Sequence, residues 1–189
     1  TSTCRAIAGS NIHFALAEAK KLADKAGVEL SFDVGHVIPE KVWKSTNILL
    51  RRFGCNPTIN AHESKFKRVS GLREKFRAAG GHIHLGDLKQ KEKDDAAKLV
   101  TLMDIVAGNT CVLVDRDESN AKRRVIYGRA GEYRIKKYGI EYRVLSNFWL
   151  KGYVLWSMAT ALLRNAVGIY RVGLADELIS KFDIKKVRD

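Results

Sequence analysis

What this chain is short of narrows it first. Its three cysteines, Cys4, Cys55 and Cys111, are odd in number and far apart, and no CxxC pair suggests a zinc or redox site, so a reducing cytoplasm suits them. No window approaches the roughly 18 apolar residues that cross a bilayer, and the start lacks the basic-then-apolar pattern of a signal peptide. The expectation is a soluble cytoplasmic protein with no membrane partner. Repeats, low-complexity tracts and linker-like stretches are also missing, and 189 residues suit a single domain over 1–189. An initiator Met is absent: the chain begins at Thr1 with an amphipathic helix close behind, so further sequence N-terminal to it is expected. Acidic residues are in the minority, 21 against 34 Lys and Arg, for a formal charge of +13. That balance suits nucleic acid, nucleotides or another anionic partner. The aromatic residues form no base-stacking series, which counts against the first.

What is present reads as a folded chain, since 46% hydrophobic against 29% charged residues is the balance of an ordinary globular domain rather than a disordered one. Ser10 or Asn11 is placed to cap a surface helix that runs on Ile12, Ala15, Leu16, Ala19, Leu22, Ala23 and Ala26 and stops at Gly27. Val28, Leu30, Phe32 and Val34 then alternate with polar residues, the pattern of a strand with one wet face. A short helix is expected over Val42 to Phe53, a turn at Gly54 to Pro57, and a functional loop from Thr58 to Ser70. Leu72 to Leu85 reads as a strand region in which Gly80-Gly81 permits a bulge or the close approach of a ligand.

Asp94 or Asp95 is placed to cap a second helix ending near Gly108, and Thr110 to Val114 fits helix or strand equally. Tyr133 to Leu145 reads as two short strands around Lys136 to Gly139. Asn147 is placed to cap a long helix reaching about Val172, Leu174 to Phe182 forms a last short helix, and Ile184 to Asp189 is expected to fray.

Three polar patterns stand out. His82-Ile83-His84 places two imidazoles on one face of a strand, where they could ligate a metal or donate to phosphate. The competing reading is two half-buried histidines with ordinary hydrogen bonds. Arg129 and Arg134 flank Gly131 and could present two guanidiniums, the planar forks best matched to phosphate oxygens, to one anion. A solvated basic loop is the alternative. Glu141 and Arg143 share a face among Ile140, Tyr142, Val144 and Leu145, where a carboxylate must face solvent or pair with a cation or metal. A simple salt bridge between the two would account for them; so would Glu141 on a divalent ion and Arg143 on a carboxylate or phosphate. His13, His36 and His62 have no comparable context and read as structural or surface groups.

Through the turn GCNPTINAHE, the strand AAGGHIHLG and the block YGRAGEYRIKKYGIEYRVLSNFWL, from about Gly54 to Trp149, the chain resembles the phage-type COOH-NH2 ligases, of the sort found in phiEco32-like phages. These are amidoligases of the glutamine synthetase-like superfamily. The resemblance implies an α+β fold with a curved, mainly antiparallel sheet, helices on its outer face and the active site on the inner one. It implies ATP and Mg²⁺ (or Mn²⁺) as cofactors, and small-molecule or peptide carboxylates and amines as substrates joined through an acyl phosphate, in a host-cell cytoplasm. By the same resemblance His82 and Glu141 hold the metal, His84, Arg129 and Arg134 hold the nucleotide, and Arg134, Glu141 and Arg143 carry the catalysis. The loop from Cys55 to Ser70 then bears on substrate choice.

One departure stands against it. The superfamily draws further acidic metal ligands from strands near the N-terminus, and Glu29 and Asp33 are the nearest substitutes here without matching a motif. The alternative is therefore an inactive member of the fold with a structural or nucleic-acid-associated role.

Overall fold

Helical periodicity sets the largest elements. The computed structural model describes residues 4–53, 58–63 and 71–188. The first helix, α1, spans Arg5–Lys25, so it begins a turn and a half ahead of the cap expected at Ser10 or Asn11. Cys4 stands at its N-terminus without a side-chain cap. The alternation from Val28 to Val34 forms no strand. Its backbone bonds go largely elsewhere: Val34 N–H donates to Asp117 Oδ2 at 3.0 Å while its carbonyl accepts from Ala79 N–H at 2.7 Å, and the Asn147 amide donates to the carbonyls of Phe32 and Asp33. The strand lies just beyond it, β1 over Gly35–Val37.

The helix expected over Val42 to Phe53 is two pieces, α2 over Glu40–Ser45 and a 3-10 turn over Ile48–Arg51, parted where Thr46 turns extended. The expected turn at Gly54 to Pro57, Cys55, and residues 64–70 of the expected loop lie outside the described residues. The near end of that loop is ordered into β2, Ile59–Asn60. The strand region over Leu72 to Leu85 is two strands of different sheets, β3 (Phe76–Ala78) and β4 (Ile83–Gly86). Strand β3 pairs antiparallel with β1.

The helical run that follows is longer than its pattern suggested. A single turn-like α3 (Gln90–Asp94) leads into α4 (Ala96–Met103), a π-turn (Asp104–Gly108) and α5 (Asn109–Val114). Gly108 does not stop it; the glycine sits inside the run, where an added Cβ would meet the Tyr142 hydroxyl at 2.8 Å. The expectation that no stretch is long and apolar enough to cross a membrane is corrected here, because Ala96–Val114 is so by length and composition. Half of it is buried within the protein, and Leu99, Val100, Leu102 and Met103 have no exposed surface. The buried half is apolar because it faces the protein's own core, while Val112, Leu113 and Val114 at its end are exposed.

Helix α6 (Asn120–Ile126) precedes the hairpin of β5 (Glu132–Lys136) and β6 (Gly139–Tyr142), which falls where the alternation placed it. Asn147 does not cap the next helix; a 3-10 turn over Phe148–Lys151 intervenes and α7 spans Tyr153–Arg171. The chain closes with α8 (Ala175–Ser180) and α9 (Ile184–Arg188), the latter ordered rather than frayed because Val187 is buried.

The main sheet has the order β2-β5-β6-β4, every pair antiparallel. Ile140, Tyr142 and Tyr133 point from one face into the core formed with Leu99, Met103, Leu163 and Ala166. The fold is α+β, with two small antiparallel sheets and helices packed against the larger one.

Candidate active site

The opposite face of that sheet carries the charge. Register sets Glu141, in the inner strand β6, directly across from His84 of β4 on one side and Arg134 of β5 on the other. Alternation adds Arg143 and Lys136 to the same face. Glu141 is 3% exposed, walled in by its neighbours. Its carboxylate accepts from Arg143 Nη1 at 2.8 Å, lies 2.9 Å from His82 Nδ1 and 3.3 Å from Lys136 Nζ, and is reached by Arg134 Nη1 at 3.5 Å. The Glu141–Arg143 salt bridge is thus present, as one contact of a wider cluster.

Burial works to raise the Glu141 carboxyl, but Arg143 and then Arg134 outweigh it and hold it below the ordinary carboxylate range. Burial, then Arg143, pushes His82 down to about 4, with Glu141 opposing. The imidazole is therefore neutral at pH 7, and as such its Nδ1–H donates to the carboxylate.

The two histidines differ in setting. His82 lies against the Tyr127 ring, centroids 5.2 Å apart, while His84 is exposed and bonded through Nδ1 to the Tyr138 hydroxyl. Nitrogen or oxygen atoms of His82, His84 and Glu141 all lie within 4.8 Å of one another. Buried His82 Nε2 and Arg143 Nε have no hydrogen-bond partner among the described residues.

Gly81 is closely approached by the fold itself. A Cβ at Gly81 would fall 1.8 Å from the Ser146 carbonyl oxygen, and the Trp149 indole donates to the Gly81 carbonyl at 3.0 Å. The close neighbour is the protein's own backbone, which fixes His82 against the segment entering α7.

Of the two arginines around Gly131, Arg134 reaches Glu141, whereas Arg129 engages Glu132 at 3.4 Å and Glu63 at 3.8 Å. Glu63 brings the near end of the 58–70 loop to the edge of the site. Glu29 and Asp33 are both exposed, and among the described residues the group that could hold a metal is His82, His84 and Glu141.

Four residues went unread in the sequence. Lys136 follows Arg134 by two on one strand, a period-two signal that was available. Tyr138 sits in the hairpin turn. Arg123 and Tyr127 lie one turn apart on and just after α6, where nothing local marks them. The Tyr127 ring is flanked by the guanidiniums of Arg143 and Arg123 at 4.8 and 5.0 Å, a cation–π pairing on each.

Arg123 is fully buried and donates to the carbonyls of Ala79, Arg143, Val144 and Leu145. Burial, then Arg124, lowers it to about 10. It leaves no room for a side chain at Gly128, whose φ is +85° and whose added Cβ would fall 2.2 Å from it.

Behind the sheet lies a second polar cluster. Asp104, in the π-turn and 1% exposed, accepts from Tyr142 O–H at 2.6 Å and lies 2.8 Å from His62 Nε2. His62, expected to be structural or superficial, is structural. It ties the strand end at β2 to the core helix.

Comparison with known proteins places the geometry in a family. No curated protein and no solved structure matches the chain. Residues 59–169 match the family described as phage phiEco32-like COOH.NH2 ligase-type 2. That stretch opens at β2, takes in the HIH strand and the β5–β6 hairpin, and ends inside α7. With more than half of its length and the whole Glu141 cluster inside the match, this chain belongs to that family of carboxylate–amine ligases.

Proposed function

We propose that the protein is an ATP-dependent ligase that joins a carboxylate to an amine through an acyl phosphate. The observation that carries this reading is one buried carboxylate, Glu141, ringed by Arg143, Arg134, Lys136 and His82 on the charged face of the sheet.

The donor set fits a divalent ion only in company. Two imidazoles and one carboxylate give at most three protein ligands, and three cationic side chains stand beside them, so the charge of a polyphosphate is needed to make the site neutral. Mg²⁺ or Mn²⁺ would be held by His82 and Glu141 and would supply charge neutralisation at the phosphates. His84, Arg129 and Arg134 bind phosphate oxygens, and Arg143, whose buried Nε has donor capacity to spare, binds the substrate carboxylate. In the first step a carboxylate oxygen bonds to the γ-phosphorus as the bond to the bridging oxygen breaks and ADP leaves. The amine nitrogen then bonds to the acyl carbon, phosphate departs and the amine proton passes to solvent. Arg134 is placed to stabilise the charge on the transferring phosphoryl group, a contribution of about 3–4 kcal/mol for one such donor.

Calorimetry with ATP and Mg²⁺ together tests the binding half, with heat expected for the pair and little for Mg²⁺ alone. ADP release that requires both a carboxylate and an amine, and that is lost in Glu141→Gln and Arg134→Ala, tests the chemistry. A protein that binds no ATP with Mg²⁺ would remove the reading. The excess of cations over carboxylates around Glu141 favours one rival, a non-catalytic member that binds nucleic acid. It predicts steeply salt-dependent DNA or RNA binding without nucleotide binding.

A further inference from the structure

The two imidazoles of the HIH strand are held by opposite kinds of partner. His82 turns Nδ1 to a carboxylate, which accepts only, so that nitrogen carries the proton. His84 turns Nδ1 to the hydroxyl of Tyr138 at 2.5 Å, with the two rings parallel to within 11° and their centroids 5.6 Å apart. A hydroxyl can donate or accept, and the chemistry of the pair decides which. Phenol is a far stronger O–H acid than neutral imidazole is an N–H acid, and the imidazole nitrogen lone pair is a better acceptor than the phenol oxygen. The stronger arrangement is therefore O–H to Nδ1. Neutral imidazole has one N–H, which this bond leaves on Nε2.

We propose that Tyr138 is a positioning residue that locks His84 in its Nε2–H form, making it an N–H donor to an anionic oxygen rather than a metal ligand. His84 and Glu141 are register partners, so a donor there faces the anion held beside Glu141. On the reading of the site as a nucleotide site, from which the identity of that anion is taken, it is a phosphate oxygen. The hairpin turn thereby decides which of two adjacent histidines binds metal and which binds phosphate. Lys136, two residues before Tyr138, enters the same site, so one turn supplies both a cation and the group that orients His84.

The test is nitrogen NMR of ¹⁵N-histidine-labelled full chain, free of metal and nucleotide, at a pH where the ring is uncharged. His84 is assigned by its loss in His84→Gln. The expected pattern is that of protonated Nε2 with Nδ1 as acceptor. Tyr138→Phe keeps the ring at a site that is 47% exposed, so folding is preserved, and both His84 nitrogens should move toward the values of a tautomer mixture. The same variant should bind ATP with Mg²⁺ about tenfold more weakly. A protonated Nδ1 in the parent protein, or nitrogens that do not move in Tyr138→Phe, would each overturn the assignment. If parent and variant alike bind no ATP while the tautomer pattern is as expected, the nucleotide reading fails and the role of Tyr138 stands.

Discussion

Two buried carboxylates flank the same strand, and they are treated in opposite ways. Glu141, on one face of β6, is ringed by cations that hold it ionised. Asp104, reached from the other face through Tyr142, has one imidazole and one hydroxyl as its side-chain partners among the described residues, and burial pushes its carboxyl up against those bonds to His62 and Tyr142. Burial alone therefore does not decide which way a carboxyl is shifted. What separates them is supply of charge: around Glu141 there is more positive charge than one carboxylate can neutralise, which is the condition for receiving an anion, whereas among the described residues each Asp104 oxygen is met by a hydrogen-bonding partner, Tyr142 or His62.

That contrast is open to attack at graded strength. The heaviest blow is Glu141→Gln, which leaves Arg143, 1% exposed, without its counter-charge. Ligase turnover is expected to fall by about 100-fold or more and stability by about 3–5 kcal/mol, read by ADP release and denaturant unfolding. Intact turnover would make Glu141 purely structural. Next comes Arg134→Ala, which should cost about 100-fold in turnover with a smaller loss of stability than Glu141→Gln, because Arg134 stands 3.5 Å from Glu141 while Arg143, at 2.8 Å, keeps the carboxylate paired.

On the other face, Tyr142→Phe removes the donor to Asp104 and should cost about 1–3 kcal/mol of stability. Turnover per folded molecule should stay near the parent value; a hundredfold loss would erase the distinction between the two faces.

The finest test is pH. The folded His82 ring resists its proton until pH falls to about 4, while the unfolded ring accepts it near 6.5. The unfolded state thus binds more protons in that window, and stability falls as pH is lowered from 6.5 to 4. His82→Gln should flatten this limb in unfolding curves measured across the window.

The carboxylates add slopes of opposite sign. Stability contributed by Glu141 is present above its ordinary value and lost as pH falls through the lowered one. Stability contributed by Asp104 is present below its ordinary value and lost as pH rises through the raised one.

The β5–β6 hairpin, α7, α8 and the facing of His82 with His84 and of Glu141 with Arg143 were readable because each rests on a local period. The pairing of β4 with β6, which actually brings His84 to Glu141, joins residues more than fifty positions apart and leaves no local trace. Val28 to Val34 shows the converse failure. Its alternation is that of a strand, but its bonding partners, Asp117 and Asn147, come from remote loops and claim the backbone first. Distance hid the second cluster as well: nothing near His62 announces Asp104, and nothing near Asp104 announces a π-turn. Arg129 and Arg134 looked equivalent by spacing, and only the carboxylates available to each, Glu132 and Glu63 for one and Glu141 for the other, set them apart.

The contact of bare Gly81 with the Ser146 carbonyl welds the connection before β4 to the segment that leads into α7, with the Trp149 indole as a second rivet. On that margin the floor beneath His82 and the start of the long helix form one mechanical unit. At the far margin Lys136 and Tyr138 ride on a hairpin tip that stands clear of the core, where Tyr138 is 47% exposed, so a shift of the tip would move them without disturbing His82.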